Sequence, residues 1–111
     1  METTTPIYDK DLSLQLAGGK ADLAEQMLGM LLKELPELCE QANAAAAAND
    51  ADALFRSVHK INGSTRYCGV PALGEAADEL ELEIKAGSSD ITGVLQRLNE
   101  EADRLIALKQ E

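Results

Sequence analysis

The sequence contains few aromatic residues, which limits how its core can be built. It has no tryptophan, one phenylalanine and two tyrosines among 111 residues. A core must therefore come mainly from aliphatic side chains, chiefly leucine and alanine. Runs of β-branched residues and strict apolar–polar alternation are also absent, which argues against a β-sheet. The sequence predicts an all-α protein.

Basic residues are scarce as well. Ten lysines and arginines stand against 20 aspartates and glutamates, so the net charge is −10. Phosphate backbones and anionic membrane surfaces attract basic proteins, and we expect neither nucleic acid nor a membrane as a partner. No stretch resembles a signal peptide, and no apolar run approaches the roughly 20 residues of a membrane span. We expect a soluble, cytoplasmic chain.

Residues that commonly bind metals or act as nucleophiles are few. The single histidine and the two cysteines, Cys39 and Cys68, are spread over two predicted helices and make a poor zinc set. Two free, buried thiols are the favoured interpretation of the cysteines, with a disulfide as the alternative. No glycine-rich phosphate loop opens a helix. Carboxylate pairs such as Glu79 and Glu83 fit a solvated helix face.

Apolar residues recur at spacings of three and four, which predicts helices along most of the chain. Residues 1–8 are expected to form a tail, and residues 9–109 one domain. Asp9 caps a short helix that Gly18 and Gly19 end. A long helix follows over residues 20–48 and is kinked at Pro36, with a break into two helices as the alternative. Its apolar stripe consists of Leu23, Met27, Met30, Leu31, Leu35, Leu38, Ala42 and Ala45.

Three more helices are predicted in the second half. They cover residues 51–68, which Gly69 ends, then a segment that begins at Val70-Pro71, and then a last helix from Ile91 to near Lys109. The last two stripes are Leu73, Ala76, Ala77, Leu80 and Ile84, and then Ile91, Val94, Leu95, Leu98, Ala102, Leu105 and Ile106. Short loops between four amphipathic helices indicate an antiparallel four-helix bundle with a short extra N-terminal helix.

The helix over residues 51–68 holds the most informative segment of the chain. Residues 53–74 contain no aspartate or glutamate and carry a charge of +3. Leu54, Val58, Ile61, Thr65 and Cys68 form one stripe of this helix, which should face the core. His59 then points about 140° away from the centre of that stripe, toward solvent.

The surroundings of His59 suggest a chemical role. Gly63, one turn further along, costs a helix interior about 1 kcal/mol relative to alanine, and its lack of a side chain would let another molecule approach the ring. A close contact between helices is the other explanation of this glycine. The positive charges of Arg56, Lys60 and Arg66 favour the binding of an anion or of an acidic protein surface. A neutral imidazole is a good nucleophile near pH 7, so this setting suits phosphoryl transfer.

The same residues resemble a known family. Residues 59–64 (HKINGS), followed by Gly69, Val70 and Leu73, are similar to the signature of the histidine-containing phosphotransfer (HPt) domain. The predicted bundle agrees with the fold of that family. Residues 11–17 (DLSLQLA), 20–28 (KADLAEQML) and 67–71 (YCGVP) look most like the C-terminal HPt domains of BarA/GacS-type hybrid sensor histidine kinases.

The resemblance implies that His59 takes a phosphoryl group from the aspartyl phosphate of one receiver domain and passes it to the aspartate of a response regulator. The implied partner-binding residues are Phe55, Arg56, Lys60, Gly63, Ser64 and Arg66. The Mg²⁺ would belong to the receiver, so no cofactor is expected here. No ATP-binding region is present, and we expect no autokinase activity. Many family members have a lysine where this chain has Asn62, so Lys60 or Arg66 is expected to supply that charge.

Two other functions fit the same helices. One is a non-catalytic interaction or dimerisation bundle in which His59 is incidental. The other is the dimerisation domain of a sensor kinase, which also presents a histidine on a helix but normally uses two helices per chain. Four helices in one chain favour a monomer. The cytoplasmic C-terminal end of an inner-membrane sensor kinase is one setting that the resemblance implies.

Overall fold

The computed structural model describes residues 5–109, and within that range every regular element is helical. The helices are α1 (Lys10–Leu16), α2 (Ala21–Ala47), α3 (Ala51–Thr65), α4 (Pro71–Lys85) and α5 (Thr92–Lys109). Each of α2 to α5 packs against the next, and α5 also packs against α2, which closes a four-helix bundle. The short helix α1 packs on α2. The predicted all-α bundle with an extra N-terminal helix is confirmed.

The core lies between α2, α3, α4 and α5 and is aliphatic throughout. Its fully buried larger side chains are Leu31, Leu35, Val58, Ile61, Val70, Leu73, Leu80, Leu98 and Leu105. Alanines are also fully buried in the core, among them Ala42, Ala76 and Ala102. The core is therefore filled by closely packed aliphatic side chains, and it does not depend on aromatic rings.

Helix α2 runs through Pro36 without a break, so the alternative of two helices is wrong. Its buried stripe is Ala24, Leu28, Leu31, Leu35, Leu38, Ala42 and Ala45. The prediction that Leu23 and Met30 belong to the core is wrong, because they are 39 % and 59 % exposed. In the first turns of α2, the exposed stripe with Leu23 and Met30 and the buried stripe with Ala24 and Leu28 both have helical spacing. Because the side chain of Ala24 is small, the buried stripe was the harder one to recognise in the sequence.

Helix α3 ends earlier than predicted. It stops at Thr65 rather than Cys68, and the amide groups of Arg66, Tyr67 and Cys68 donate to carbonyls three residues back in tighter turns. Cys68 is buried nevertheless. Gly69 follows these turns with a φ of +65°, a value that glycine adopts without strain.

Gly69 also joins the N-terminal segment to the bundle. Its carbonyl accepts a hydrogen bond of 2.8 Å from the amide of Asp9, and a Cβ added at Gly69 would lie 2.6 Å from the backbone nitrogen of Ser13. Asp9 caps α1 as predicted, through a 3.0 Å bond from the amide of Leu12. Within the predicted tail, residues 1–4 lie outside the described residues. Residues 5–8 contact the bundle, where the carbonyl of Pro6 accepts from the amide of Ala72.

Both cysteines are free thiols, as predicted. Burial raises the pKa of the Cys68 thiol to about 11. Burial, with a smaller contribution from the charge of Asp103, raises the pKa of the Cys39 thiol to about 11 as well. Both therefore remain protonated near neutral pH, and they act as small apolar side chains. None of the helices in residues 5–109 is long and apolar enough to cross a membrane.

Candidate functional site

Helix α3 presents His59 to solvent. Asp50 caps the helix through a 3.1 Å bond from the amide of Ala53, and Leu54, Val58 and Ile61 turn one face of the helix into the core. That packing fixes the rotation of the helix and leaves the side chain of His59 67 % exposed. The predicted orientation of the imidazole is therefore confirmed.

A buried carboxylate on α4 holds one nitrogen of the ring. The Nδ1 atom of His59 lies 2.9 Å from Oε1 of Glu81, whose side chain is only 8 % exposed. Burial by itself raises the pKa of Glu81, but hydrogen bonds donated by Asn62 and His59 outweigh it. The nearby charges of His59 and Lys85 act in the same direction, and the net pKa of Glu81 lies below its usual value.

The contact with Glu81 indicates which ring nitrogen is free. An ionised carboxylate can only accept hydrogen bonds, so Nδ1 of His59 must carry the proton that lies between them. In the neutral ring, Nε2 then has an unshared electron pair, and the side chain that carries it is mostly exposed. This arrangement makes Nε2 the nucleophilic atom of the site.

Asn62 lies beneath this pair rather than beside the histidine at the surface. It is 4 % exposed. Its amide nitrogen donates to Oδ1 of Asp78 over 2.7 Å and to Oε2 of Glu81. Asn62 is thus a buried amide that binds two carboxylates of α4.

On the other side of the histidine, two residues extend the site toward the start of α3. The ring of Phe55 stacks on that of His59, with centroids 5.6 Å apart and planes inclined by 14°. The Nζ atom of Lys85, on α4, lies 5.5 Å from the centre of the Phe55 ring. This contact orients Phe55 and brings a positive charge to the neighbourhood of the imidazole.

Gly63 faces open space. A Cβ added there would meet no atom within 4 Å outside its own helix, so a close helix contact does not explain this glycine. The glycine lines an open groove between α2 and α3. The other lining residues are Glu34, Glu37, Leu38, Gln41, Lys60, Ser64, Arg66 and Tyr67.

The predicted partner-binding residues thus share one side of the bundle. Phe55, His59 and Gly63 follow one another at intervals of four along α3, and Lys60, Ser64 and Arg66 line the groove beside them. Arg56 borders a second, smaller depression with Lys60. Acidic residues surround the basic segment, and the Nη2 atom of Arg66 lies 4.0 Å from Oδ1 of Asp78. Whether these residues bind a partner stays a prediction.

Sequence reasoning missed Glu81, Lys85 and the buried position of Asn62. Glu81 had a detectable signal, because it follows the buried Ala77 by one helical turn and so lies on the apolar face of α4. A carboxylate on that face needs a partner from another helix. Glu79, in contrast, is exposed and binds Arg97, and the half-buried Glu83 accepts from the hydroxyl of Ser88.

These features define a class of protein: a helical bundle that displays one exposed imidazole, bound through Nδ1 to a buried carboxylate. Comparison with known proteins agrees with this class. The family model described as the Hpt domain matches residues 26–108. The chain is 45 % identical over 101 residues to the sensor histidine kinase GacS of Pseudomonas protegens, an alignment that covers 91 % of this chain and 11 % of that protein.

Two further relatives give the same result. Identity to the histidine-protein kinase BarA of Escherichia coli K12 is 33 % over 99 residues, which covers 87 % of this chain and 11 % of that protein. The crystal structure of the HPT domain from a sensor hybrid histidine kinase of Shewanella superimposes with a TM-score of 0.87. Its sequence is 34 % identical, and the match covers 94 % of this chain and 92 % of that one.

The chain belongs to the Hpt domain family. The family, the fold and, at the level of the family, the role of a phosphotransfer domain in a phosphorelay are therefore confirmed. The chain spans about a tenth of the length of the curated relatives it matches.

Proposed function

We propose that His59 is the phosphoacceptor of this domain and that Nε2 is the atom phosphorylated. The observation that carries this proposal is the exposed imidazole whose Nδ1 is bound to the buried Glu81. The electron pair on Nε2 attacks the phosphorus of an aspartyl phosphate on a receiver domain. A P–N bond forms as the P–O bond breaks, and the aspartate leaves as a carboxylate. The ring keeps its Nδ1 proton and becomes cationic.

Glu81 assists this step because its charge complements the charge that develops on the ring. Its carboxylate lies 2.9 Å from Nδ1 and stabilises the phosphorylated, positively charged imidazole. In the second half of the relay the ring is the leaving group, and the phosphoryl group moves to the aspartate of another receiver. The Mg²⁺ that neutralises the phosphoryl oxygens would be bound by the receiver.

The shape of the surface supports a protein as the phosphate donor and acceptor. Phe55 offers an apolar contact beside the ring, and Gly63 leaves space above the helix. Arg56 and Lys60 lie on α3 within one turn of His59 in sequence, and Arg66 follows the end of that helix; their charges favour an acidic receiver site. We expect the contact to be modest in area, as in transient signalling complexes.

The proposal extends to the setting of the domain. It acts as a monomer in the cytoplasm, without contact with nucleic acid or membrane, and its partners are the receiver of a hybrid sensor kinase and that of a response regulator. Family membership favours this function over an interaction bundle with an incidental histidine. A kinase dimerisation domain fits less well, since all four helices of the bundle come from one chain.

Phosphate transfer from a purified, radiolabelled receiver tests the function, with His59→Gln as the comparison. We expect label on the wild type that is labile in acid and stable in base, and a loss of at least about 100-fold in the variant. His59 is the only histidine, so no second site can take its place. Glutamine can still donate to Glu81, and the free energy of unfolding should change by less than about 1 kcal/mol.

The opposite result is equally clear. If several receivers transfer no label to the folded wild type, or if His59→Gln is labelled equally, His59 is not the acceptor. Helix content and the unfolding midpoint, measured on both proteins, distinguish a loss of chemistry from a loss of structure.

A further inference from the structure

Asn62 is the only buried amide side chain among residues 5–109, and both of its contacts are with carboxylates. Its side-chain nitrogen on α3 donates to Asp78 and Glu81, three residues apart on α4. The amide nitrogen carries two hydrogens, so each carboxylate can receive one. A single side chain therefore connects the two helices directly below the reactive histidine.

This connection controls the chemical state of Glu81. An amide nitrogen can donate but cannot accept, so the oxygen of Glu81 that faces Asn62 must be an acceptor. Hydrogen bonds donated to a carboxylate favour its ionised form. In the ionised form neither oxygen carries a proton, so the oxygen that faces His59 is an acceptor as well and requires a proton on Nδ1.

Without the amide, the same geometry allows a second arrangement. A protonated Glu81 could donate to Nδ1, and the ring proton would then reside on Nε2. That nitrogen would have no electron pair for attack on phosphorus. Glu81 is also buried, and burial by itself raises the pKa of its carboxyl and so favours the protonated form.

We propose that Asn62 is a positioning residue for phosphoryl transfer: it holds Glu81 as an acceptor and thereby keeps Nε2 of His59 unprotonated and nucleophilic. The inference rests on the proposed function and adds to it a residue that acts through Glu81 without touching the phosphoryl group. The second bond, to Asp78, fixes the rotation of the amide so that its nitrogen faces Glu81.

Two readouts test this role. The first is the tautomer of His59, measured by long-range ¹H–¹⁵N correlation NMR at a pH where the ring is neutral. The spectrum contains one imidazole, because the chain has one histidine. The second is the rate of phosphorylation by phosphoramidate, a small donor that requires no receiver. The variants are Asn62→Asp, which has nearly the same shape but replaces the donor with an acceptor, and Asn62→Ala.

We expect the wild type to show mainly the Nδ1–H tautomer and both variants to show a mixture. Phosphorylation should slow by about tenfold, the size expected when one hydrogen bond to a charged group is lost. Asn43→Asp is the matched control, since Asn43 and Asn99 exchange amide hydrogen bonds between α2 and α5 at the exposed surface. The control should keep the tautomer and the rate of the wild type.

Folded Asn62 variants with an unchanged tautomer and an unchanged rate would overturn the inference. Should Asn62→Ala fail to fold, Asn62→Asp decides on the same two readouts. A wild type that takes no phosphate, from phosphoramidate or from receivers, overturns the proposed function instead. The tautomer comparison then still decides whether Asn62 sets the state of the ring.

Discussion

At the scale of single residues, one group of side chains sets the reactivity of the His59 ring and another sets which molecules can reach it. Glu81 and Asn62 act from the buried side of the helices and determine which nitrogen of His59 can react. Phe55 and Gly63 lie on the same exposed side as the ring and determine what can approach it. Substitutions of Glu81 or Asn62 should therefore slow phosphorylation by small donors as well as by receiver domains. Substitutions of Phe55 or Gly63 should slow only the transfer from receiver domains.

Gly63 provides a prediction in which stability and function change in opposite directions. Gly63→Ala should stabilise the fold by about 0.5–1 kcal/mol, because alanine favours the helix and its Cβ meets nothing. Gly63→Leu should slow transfer from a receiver at least about tenfold, since a side chain of that size would occupy the approach to the ring. Urea unfolding and receiver-to-domain transfer rates measure the two effects.

Gly29 offers the matched control. It also lies within a helix, and a Cβ there likewise meets no atom within 4 Å. Gly29→Ala and Gly29→Leu should change stability in the same way as their Gly63 counterparts and leave the transfer rate unchanged. Equal transfer rates for Gly63→Leu and Gly29→Leu would contradict the role assigned to Gly63.

The sequence was sufficient to predict that His59 and Gly63 are exposed, but it did not predict the contact of His59 with Glu81. Their exposure follows from the apolar stripe of α3 alone, a local property with a known period. The bond from His59 to Glu81 joins residues 22 positions apart, and it depends on the rotation of α4 against α3. No spacing within one helix contains that information.

At the scale of helices, Gly69 is the position where three elements meet. It follows α3, precedes α4 and contacts the start of α1. Its prediction as a helix terminator rested on local conformation alone. The close approach of the backbone at Ser13 is a tertiary constraint, which only the packed structure shows.

Gly69→Ala should destabilise the domain by about 2–3 kcal/mol. A positive φ costs a residue with a Cβ roughly 1–2 kcal/mol, and here the Cβ would also overlap the backbone of Asp9 and Ser13. Gly87→Ala is the control, because Gly87 has a φ of +73° but open space around it. The stability of Gly87→Ala should fall only by the cost of placing a residue with a Cβ at a positive φ.

Equilibrium unfolding in urea measures both variants. If Gly69→Ala and Gly87→Ala lost the same stability, the packing of α1 against Gly69 would contribute nothing. Amide hydrogen exchange in α1 gives a second test, since release of this helix should increase exchange there before the rest of the bundle opens.

Element boundaries illustrate why helix ends and faces are harder to predict than helices themselves. The early end of α3 at Thr65 arises from tight turns that keep Cys68 in the core. The wrong stripe at the start of α2 arose because Leu23 and Met30 have the same spacing as the buried residues. In both cases the neighbours in space, rather than the local pattern, decided the outcome.

At the scale of the whole molecule, we expect a monomer with a sedimentation mass near 11.9 kDa. The four helices bury their apolar stripes against one another, and a net charge of −10 repels a second copy. Sedimentation equilibrium at about 0.15 M salt measures the mass. A stable dimer at micromolar concentration would instead support the interpretation as a dimerisation domain.

The exposed imidazole has a consequence for the lifetime of the signal. The side chain of His59 is 67 % exposed, and it does not line the groove beside Gly63. Phosphate on this ring should therefore be retained between encounters, and the timing of its release is controlled by the arrival of a concave partner site. We therefore expect the domain to hold the phosphoryl group until a receiver domain binds and removes it.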